Sequence, residues 1–436
     1  MKPIFLLSVY TFLVIIFPNG MGVKTVIDLR VWMIFAAVLL LPSFTKYMFE
    51  KKIKFTKVDL IPVSFVLLSS ITVLLSDGSV RQIIGSIIKG SLYILLPYFA
   101  GRHFIKNEKD LLTFFYVLGF ASIIVSLIGL REYFTGKGFY EGFGIMIDPD
   151  DLWSNSQMVY QRWGHNRIVA SFVQPIFLGT FLGLIILIDI FIIIYYKSKI
   201  NYFIKIVIFV SALLSGVVIL LSQARTAGVA LVIVSILMLL KNTGKIKSLV
   251  YLLILLTTCL YFINLYFHNY LTDILYYGII SDKATINYFS RVDFVKMSIE
   301  YIFNYSNFLG EGILIHSKLD YFIHNNDLLN GFLNKFLKNG IFYGLLYIYL
   351  WFKAFKDSFK FSKYNIRGSM LLFIFIYLFI VNNTTMLTFQ NEIIFYILLG
   401  IIFNPMLKNQ KEYVSNLPQN FNSNVSLQWR GISLSN

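Results

Sequence analysis

The sequence predicts an all-α polytopic membrane protein with about twelve transmembrane helices and two long connections on one side of the membrane. Of its 436 residues, 57% are apolar and only 14% are charged, and the mean hydropathy is +0.71. A soluble globular chain is about 45–50% apolar and about 25% charged. Many segments also approach the ~20 apolar residues that a helix needs to cross the hydrocarbon core.

The apolar segments fall within residues 1–407, which we interpret as a single transmembrane domain. In chain order the predicted spans are 4–17, 30–45, 58–75, 83–100, 111–130, 168–194, 203–221, 226–240, 247–267, 340–355, 369–387 and 391–407. The first span resembles a signal peptide, but it ends in Pro18-Asn19-Gly20 without a small-residue cleavage site, so we expect it to be retained. Residues 408–436 form a polar tail that is predicted to be disordered.

The basic residues predict which side of the membrane each connection faces. The net charge of +16 does not indicate a nucleic-acid partner, because the Lys and Arg residues cluster between apolar segments. With the N-terminus in the cytoplasm, every connection on the inner side is short and basic, and the C-terminal tail also lies inside. The basic residues on the inner side are Lys46, Lys51, Lys52, Lys54, Lys57, Arg102, Lys106, Lys109, Lys197, Lys199, Lys205, Lys241, Lys245, Lys247, Lys353, Lys356, Lys360, Lys363 and Arg367.

Two long connections, about 131–167 and 268–339, both fall on the outer side in this topology. Long connections in compact folds are usually functional, so we expect the function to reside at the outer face. The second connection is predicted to contain two amphipathic helices. One begins at Arg291, and the other follows the apolar run 328–337 and ends at Asn339-Gly340.

Cationic residues near the outer ends of the spans are candidates for binding an anion. They are Arg81, Arg162, Arg167, Arg225, Arg291 and His324. Arg225 follows a short turn between two apolar spans, where an arginine is costly unless it is paired or lines a watery cavity. Snorkelling to lipid phosphate is the alternative. Lys89 lies about 12 Å deeper than Arg81 in the fourth span. Asp189 of the long sixth span is a candidate partner for it, and a position of Asp189 near the inner surface is the alternative.

His324 precedes a predicted helix N-terminus, where the helix dipole disfavours imidazolium and the amide groups can hold phosphate. An incidental loop histidine is the alternative interpretation. The segment Asp148-Pro149-Asp150-Asp151 indicates a turn rather than a metal site. The single cysteine, Cys259, provides neither a disulfide framework nor a Cys-based metal site. We therefore predict no cofactor and no metal.

Three segments carry a family resemblance. The first opens the sixth span, and the second lies between the seventh and eighth spans. The first runs from Arg167 through Pro175 to Gly179 and is similar to an Arg, Phe and Pro pattern that opens the span after a long outer loop. The second is 221–227, where the family has Ser-x-Ser-Arg-Thr. Gln223 and Ala224 depart from that pattern, whereas the Arg-Thr pair is intact.

The third segment runs from Arg291 through Gly310-Glu311-Gly312 and His324-Asn325 to the run Gly340-Ile341-Phe342-Tyr343-Gly344. It is similar to a family order of Arg, Gly-x-Gly, His-Asn and Gly-Ile-x-Gly. Taken together, the chain resembles the O-antigen ligase/polymerase superfamily, over roughly residues 160–350 by motif and over its whole length by topology.

The resemblance implies a GT-C-like membrane glycosyltransferase acting without a metal at the outer leaflet of the bacterial inner membrane. Its donor would be an undecaprenyl-diphosphate-linked oligosaccharide. The resemblance implies that arginines bind the diphosphate, each charge-assisted contact contributing ~1.5–3 kcal/mol, and that a histidine activates the acceptor hydroxyl. The implied catalytic residues are Arg225, Arg291 and His324, and the implied substrate-binding residues are Arg167, Lys89, Arg81 and Asn325.

Polymerase and ligase share these motifs and differ in the acceptor, which is a second lipid-linked repeat unit or lipid A–core. The many aromatic residues of the outer connections suit stacking on sugars and favour a polymerase making O-antigen or capsular polysaccharide, although a ligase also holds sugars. A flippase or transporter is the alternative from another class, but the halves of the chain show no repeat. The expected partners are the lipid-linked donor and acceptor, membrane lipid and a protein that regulates chain length.

Overall fold

The structure is a computed structural model, and it describes most of the chain outside the two long connections and the C-terminal tail. The described residues are 2–18, 21–23, 29–50, 55–75, 78–140, 161–162, 165–172, 174–196, 200–243, 296, 298–300, 302, 330–363, 366–384, 387 and 390–404. The predicted ninth span, 247–267, and the tail after residue 407 lie outside them.

Helices make up nearly all of the described chain, which confirms the predicted all-α class. They are α1 (Pro3–Ile16), α2 (Val31–Glu50), α3 (Lys57–Leu75), α4 (Val80–Phe104), α5 (Glu108–Thr135), α6 (Pro175–Tyr196), α7 (Tyr202–Ser222), α8 (Arg225–Thr243), α9 (Gly331–Ser362), α10 (Ile366–Thr384) and α11 (Gln390–Ile402). Two antiparallel pairs of two-residue strands add to them, β1 (Gly22–Val23) with β2 (Leu29–Arg30) and β3 (Gln161–Arg162) with β4 (His165–Asn166).

Seven of the described helices, α2 to α7 and α10, are long and apolar enough to cross a membrane. Three shorter apolar helices, α1, the part Arg225–Met238 of α8, and α11, coincide with other predicted spans. The described chain therefore has helices that could span a membrane, as a membrane protein requires, whereas the count of twelve spans and the GT-C-like fold stay predictions.

The predicted start of the sixth span is wrong, because α6 begins at Pro175 and not at residue 168. The amide groups of Val169 and Ala170 donate to Oε2 of Glu132, at 3.2 and 2.7 Å, instead of joining a helix. Ala170 also has a φ of +50°, which no right-handed helix accommodates. Residues 168–172 therefore form an irregular segment at the end of the bundle.

Helix α9 joins the predicted amphipathic run to the predicted tenth span through a sharp bend at Gly340. The bend has φ 86° and ψ 173°, a conformation that is essentially restricted to glycine. The ring of Phe336 packs over Gly344, where an added Cβ would lie 2.4 Å from it. The predicted break at Asn339-Gly340 is confirmed, although the helix starts at Gly331 rather than at residue 328.

The helices pack around α6, most of whose residues are buried. Helix α6 contacts α5, α7, α8 and α10, and α11 packs between α4 and this central group. All residues of α11 are buried. Short polar links connect these helices at the two ends of the bundle.

Polar contacts join the connections between helices at two opposite ends of the bundle. At one end, named here the Arg102 end, the links are Arg102–Asp59, Arg367–Glu108 (2.9 Å), Lys241–Ser369 (3.0 Å) and Asn404–Ile105 O (2.7 Å). At the opposite end, the Arg225 end, they are Tyr140–Ile16 O, Asn166–Tyr133 O (3.0 Å), Arg167–Ser222 O (3.4 Å) and Gln390–Ser171 O (3.1 Å). The same two groups of connections follow from the charge pattern of the sequence.

Candidate functional site

A tight turn joins α7 to α8 at the Arg225 end and positions Arg225. Gln223 adopts the left-handed conformation with φ 57°, and its amide donates to the carbonyl of Leu220 at 3.0 Å. The amide of Arg225 donates to the carbonyl of Gln223, also at 3.0 Å. Two residues thus reverse the chain, and Arg225 becomes the first residue of α8.

Gly179 lets this turn sit directly on α6. A Cβ built on Gly179 would lie 2.3 Å from the Cβ of Ala224 and 3.4 Å from that of Ala227. Because no side chain fits between them, only glycine allows α6 and the turn to approach this closely. The first and second motif segments of the sequence are therefore in direct contact.

Arg167 reaches the same turn from the irregular segment before α6. Its Nε donates to the carbonyl of Ser222 at 3.4 Å, and the buried Glu132 holds the following residues through their backbone amides. Glu132 also accepts from the amide of Phe139 at 3.0 Å. One carboxylate therefore ties together the start and the end of the first long connection and positions the segment whose Arg167 reaches the turn before Arg225.

The electrostatics of this pair favour an anionic ligand. Arg225 and Arg167 are both half-buried, and Arg225 stands at the N-terminus of α8, where the helix dipole is itself positive. A cation there weakens the helix, whereas a bound anion compensates both the guanidinium and the dipole. The side-chain amide of Gln223 is buried and has no hydrogen-bond partner among the described residues, so it can also bind a ligand.

The other candidate residues are distributed differently. Arg81 is exposed in the first turn of α4, and Lys89 is half-buried on the same helix, which packs against α3. The candidate pair of Lys89 with Asp189 does not form, because Oδ2 of Asp189 instead lies 2.7 Å from Oγ of Ser211. His324, Asn325 and Arg291 lie outside the described residues, and their roles stay predictions.

The structure adds a polar cluster at the Arg225 end that the sequence did not indicate. Nζ of Lys335 lies 2.7 Å from Oε1 of Glu392, and the hydroxyl of Tyr93 donates to the other carboxylate oxygen at 3.1 Å. Gln390 and Asn391, which precede Glu392, bind the carbonyls of Ser171 and Phe177, at 3.1 and 2.9 Å. Helix α11 thereby links this cluster to the segment that carries Arg167.

One sequence signal could have found this cluster. Glu392 is a buried carboxylate at the start of an otherwise apolar helix, and an ionisable residue in such a place is a functional candidate. Burial alone would lower the pKa of the Lys335 ammonium, but the adjacent Glu392 carboxylate outweighs it and raises that pKa well above the usual value. Lys335 is therefore charged at neutral pH and forms an ion pair with Glu392 at the Arg225 end.

Within the part of the chain that the structure describes, no three His, Cys, Asp or Glu side chains are grouped so that they could hold a metal ion. The prediction of a metal-independent reaction stays a prediction. No protein-family model matches the chain, and no curated protein is significantly similar to it. The family resemblance therefore depends on the three motif segments.

Proposed function

We propose that this protein is a membrane glycosyltransferase that polymerises undecaprenyl-diphosphate-linked oligosaccharide units into O-antigen or capsular polysaccharide. One observation carries the proposal most directly. Arg167 and Arg225, which come from two separate motif segments, meet at one turn, and Gly179 and Glu132 hold that turn and the segment beside it. Two guanidinium groups beside a helix N-terminus suit a diphosphate.

The proposed reaction breaks the bond between the anomeric carbon of the donor sugar and the lipid diphosphate. The diphosphate leaves with the bonding electrons, and Arg225 and Arg167, with Arg291, stabilise its developing negative charge. His324 accepts the proton of the acceptor hydroxyl while that oxygen bonds to the anomeric carbon. The products are a lengthened lipid-linked glycan and undecaprenyl diphosphate.

The remaining residues are proposed to bind the substrate. Arg81 and Lys89 lie along α4 and would contact the phosphates or the lipid, and Asn325 would orient the acceptor beside His324. Lys335 would add positive charge at the same end, with Glu392 fixing its position. These assignments rest on the placement of α4 and α11 and on the family pattern.

The proposed location is the bacterial inner membrane, with the Arg225 end at the outer face and both termini in the cytoplasm. The basic connections gather at the Arg102 end, as the positive-inside bias requires for a cytoplasmic side. The first long connection starts and finishes at the Arg225 end, and the described end of the second lies there as well. Lipid-linked repeat units would therefore meet the arginines in the outer leaflet.

A deletion strain tests this function. We expect surface polysaccharide from the strain to show single repeat units and no long ladder, and the wild-type gene to restore the ladder at a matched membrane level. Loss of every repeat from lipid A–core, with lipid-linked polymer still present, would identify a ligase instead. Repeat units that stay on the cytoplasmic side would indicate a flippase, and a normal ladder in the deletion strain would contradict all three functions.

A further inference from the structure

A cavity separate from the candidate site lies on the side of the bundle between α5, α6 and α7. Its volume is about 220 Å³, and its walls are almost entirely apolar. Phe120 and Phe203 border it and are 52% and 71% exposed. Because both belong to helices that are apolar enough to span the membrane, the cavity opens toward lipid.

Asp189 provides a buried carboxyl group at the base of this cavity. The residue is 1% exposed, and its Oδ2 lies 2.7 Å from Oγ of Ser211. Oγ of Ser211 lies 2.9 Å from Oγ of Ser122, and Oγ of Ser122 lies 2.7 Å from the carbonyl oxygen of Gly119. Four oxygen atoms thus form a row of three hydrogen-bond contacts that crosses all three helices.

Counting protons along this row indicates the state of the carboxyl group. Each serine hydroxyl has one proton to donate, and the Gly119 carbonyl has none. If Asp189 is ionised, only the two serine hydroxyl protons are available for the three contacts. One of the three pairs of oxygen atoms then has no proton between them. If Asp189 is protonated, it donates to Ser211, which donates to Ser122, which donates to Gly119. The row is complete only with a neutral carboxyl group.

The second carboxyl oxygen, Oδ1, faces the cavity. A Cβ built on Gly119 would lie 3.6 Å from Oδ1, and both residues line the cavity wall. Oδ1 makes no hydrogen bond to any residue that the structure describes. An acceptor that faces apolar surroundings without a donor costs free energy, about 1–3 kcal/mol, until a donor reaches it. The cavity therefore presents one neutral acceptor within apolar walls.

We propose that this cavity binds the hydroxyl end of a long-chain alcohol dissolved in the membrane, with Oδ1 of Asp189 accepting a hydrogen bond from the hydroxyl group. A protonated amine fits less well, because it would require an ionised Asp189 and would leave one contact of the serine row without a proton. The volume suffices for the end of an alkyl chain, since an apolar cavity of about 150 Å³ already holds benzene.

Carbodiimide modification of the purified full-length protein tests this proposal. Lipid-soluble N,N′-dicyclohexylcarbodiimide reacts with protonated carboxyl groups in apolar surroundings, and mass spectrometry of peptides locates the product. We expect Asp189 to be modified and 1-decanol to slow this modification at least fivefold, whereas decane at the same concentration leaves it nearly unchanged. The Asp189→Asn variant should lose the modification.

Two glycine variants provide a matched comparison. Gly119→Ala adds a methyl group in ordinary contact with Oδ1 and Ser211, so the helix is kept while the cavity is filled. Gly216→Ala adds the same group on α7 where nothing lies within 4 Å. We expect the first to weaken protection by 1-decanol at least threefold and the second to leave it unchanged.

Three results would overturn the proposal. The first is a folded protein whose Asp189 is not modified. The second is modification that 1-decanol does not slow, or protection by 1-decanol that Gly119→Ala does not weaken. The third is protection by decylamine without protection by 1-decanol, which would identify an amine site. None of these measurements depends on polysaccharide synthesis, so the proposed glycosyltransferase function stands or fails separately.

Discussion

At the scale of single residues, the account depends on the cation at the start of α8. Helix N-termini disfavour positive side chains, so Arg225 does not stabilise α8 and is better explained by an anion bound beside it. Arg167 reaches the turn that precedes Arg225 from a different part of the chain. Two arginines at one turn can each bind a phosphate group of a diphosphate.

Replacing Arg225 tests this role. We expect Arg225→Ala to lower polymer formation about 10- to 100-fold, because it removes a charge-assisted contact of ~1.5–3 kcal/mol. Arg225→Lys should retain part of the activity, since it keeps the charge and loses the bidentate geometry. The control is Lys360→Ala, an exposed cation at the Arg102 end. Equal polymer from Arg225→Ala and wild type, at equal membrane levels, would remove Arg225 from the reaction.

The Lys335–Glu392 pair leads to a prediction about stability. Glu392→Gln leaves a largely buried ammonium without its partner, which costs about 3–5 kcal/mol. We therefore expect a clearly lower midpoint of thermal unfolding in detergent. The control is Glu50→Gln, which breaks an exposed pair with Lys46 and should have little effect. Similar midpoints for the two variants would show that the pair has no structural role.

The pH dependence of this pair follows from the raised pKa of Lys335. A lysine whose pKa is higher in the folded state contributes its full stabilisation below the unfolded pKa of about 10.4 and loses it only as the pH rises through the folded value. The contribution of Lys335 to the free energy of unfolding should therefore be constant between about pH 6 and pH 9. A step in the difference between wild type and Lys335→Met within that range would contradict the pairing.

At the scale of elements, the contact between α6 and the turn before α8 positions Arg225. Gly179→Ala would place a Cβ within 2.3 Å of Ala224, so we expect the turn to shift and polymer formation to fall strongly. The double variant Gly179→Ala with Ala224→Gly removes the opposing Cβ and should restore most of the activity. A single variant with normal activity, or a double variant no better than the single one, would contradict this geometry.

Sequence reasoning identified the helices far better than their partners. Hydropathy predicted most of the described helices because a helix that crosses the hydrocarbon core needs a run of about 20 apolar residues. It misjudged the start of α6, because the amide of Ala170 donates a hydrogen bond to Glu132, which is distant in the sequence, instead of joining a helix. It also missed Lys335 with Glu392 and the Ser211 partner of Asp189, because hydrophobic periodicity does not tell which faces of different helices meet.

The motif residues fared unevenly for a similar reason. The resemblance implies that Arg167 and Arg225 bind the same diphosphate, and the structure brings both residues to one turn, which Gly179 contacts. Asp189 was a candidate partner for Lys89 on depth alone, and the structure gives Asp189 the hydroxyl of Ser211 as its partner instead. Depth in the membrane is one coordinate, whereas a contact also depends on the rotation of each helix about its axis.

At the scale of the whole molecule, the two ends of the bundle should face opposite sides of the membrane. The chain has one cysteine, Cys259, so a Cys259→Ala background allows single cysteines to be introduced at the exposed residues Lys57 and Val80. In spheroplasts we expect a membrane-impermeant maleimide to label Val80→Cys, near the Arg225 end, and to label Lys57→Cys only after permeabilisation. The reverse pattern would place the arginines in the cytoplasm.

The most direct measurement of the central claim uses purified protein in proteoliposomes, supplied with lipid-linked repeat units extracted from the deletion strain. Product length is resolved by electrophoresis, and released undecaprenyl diphosphate is quantified in parallel. The account predicts glycans of two or more units, with one undecaprenyl diphosphate released for each bond formed. Repeat units that stay single, with no undecaprenyl diphosphate released by a folded protein that restores the ladder in cells, would contradict it.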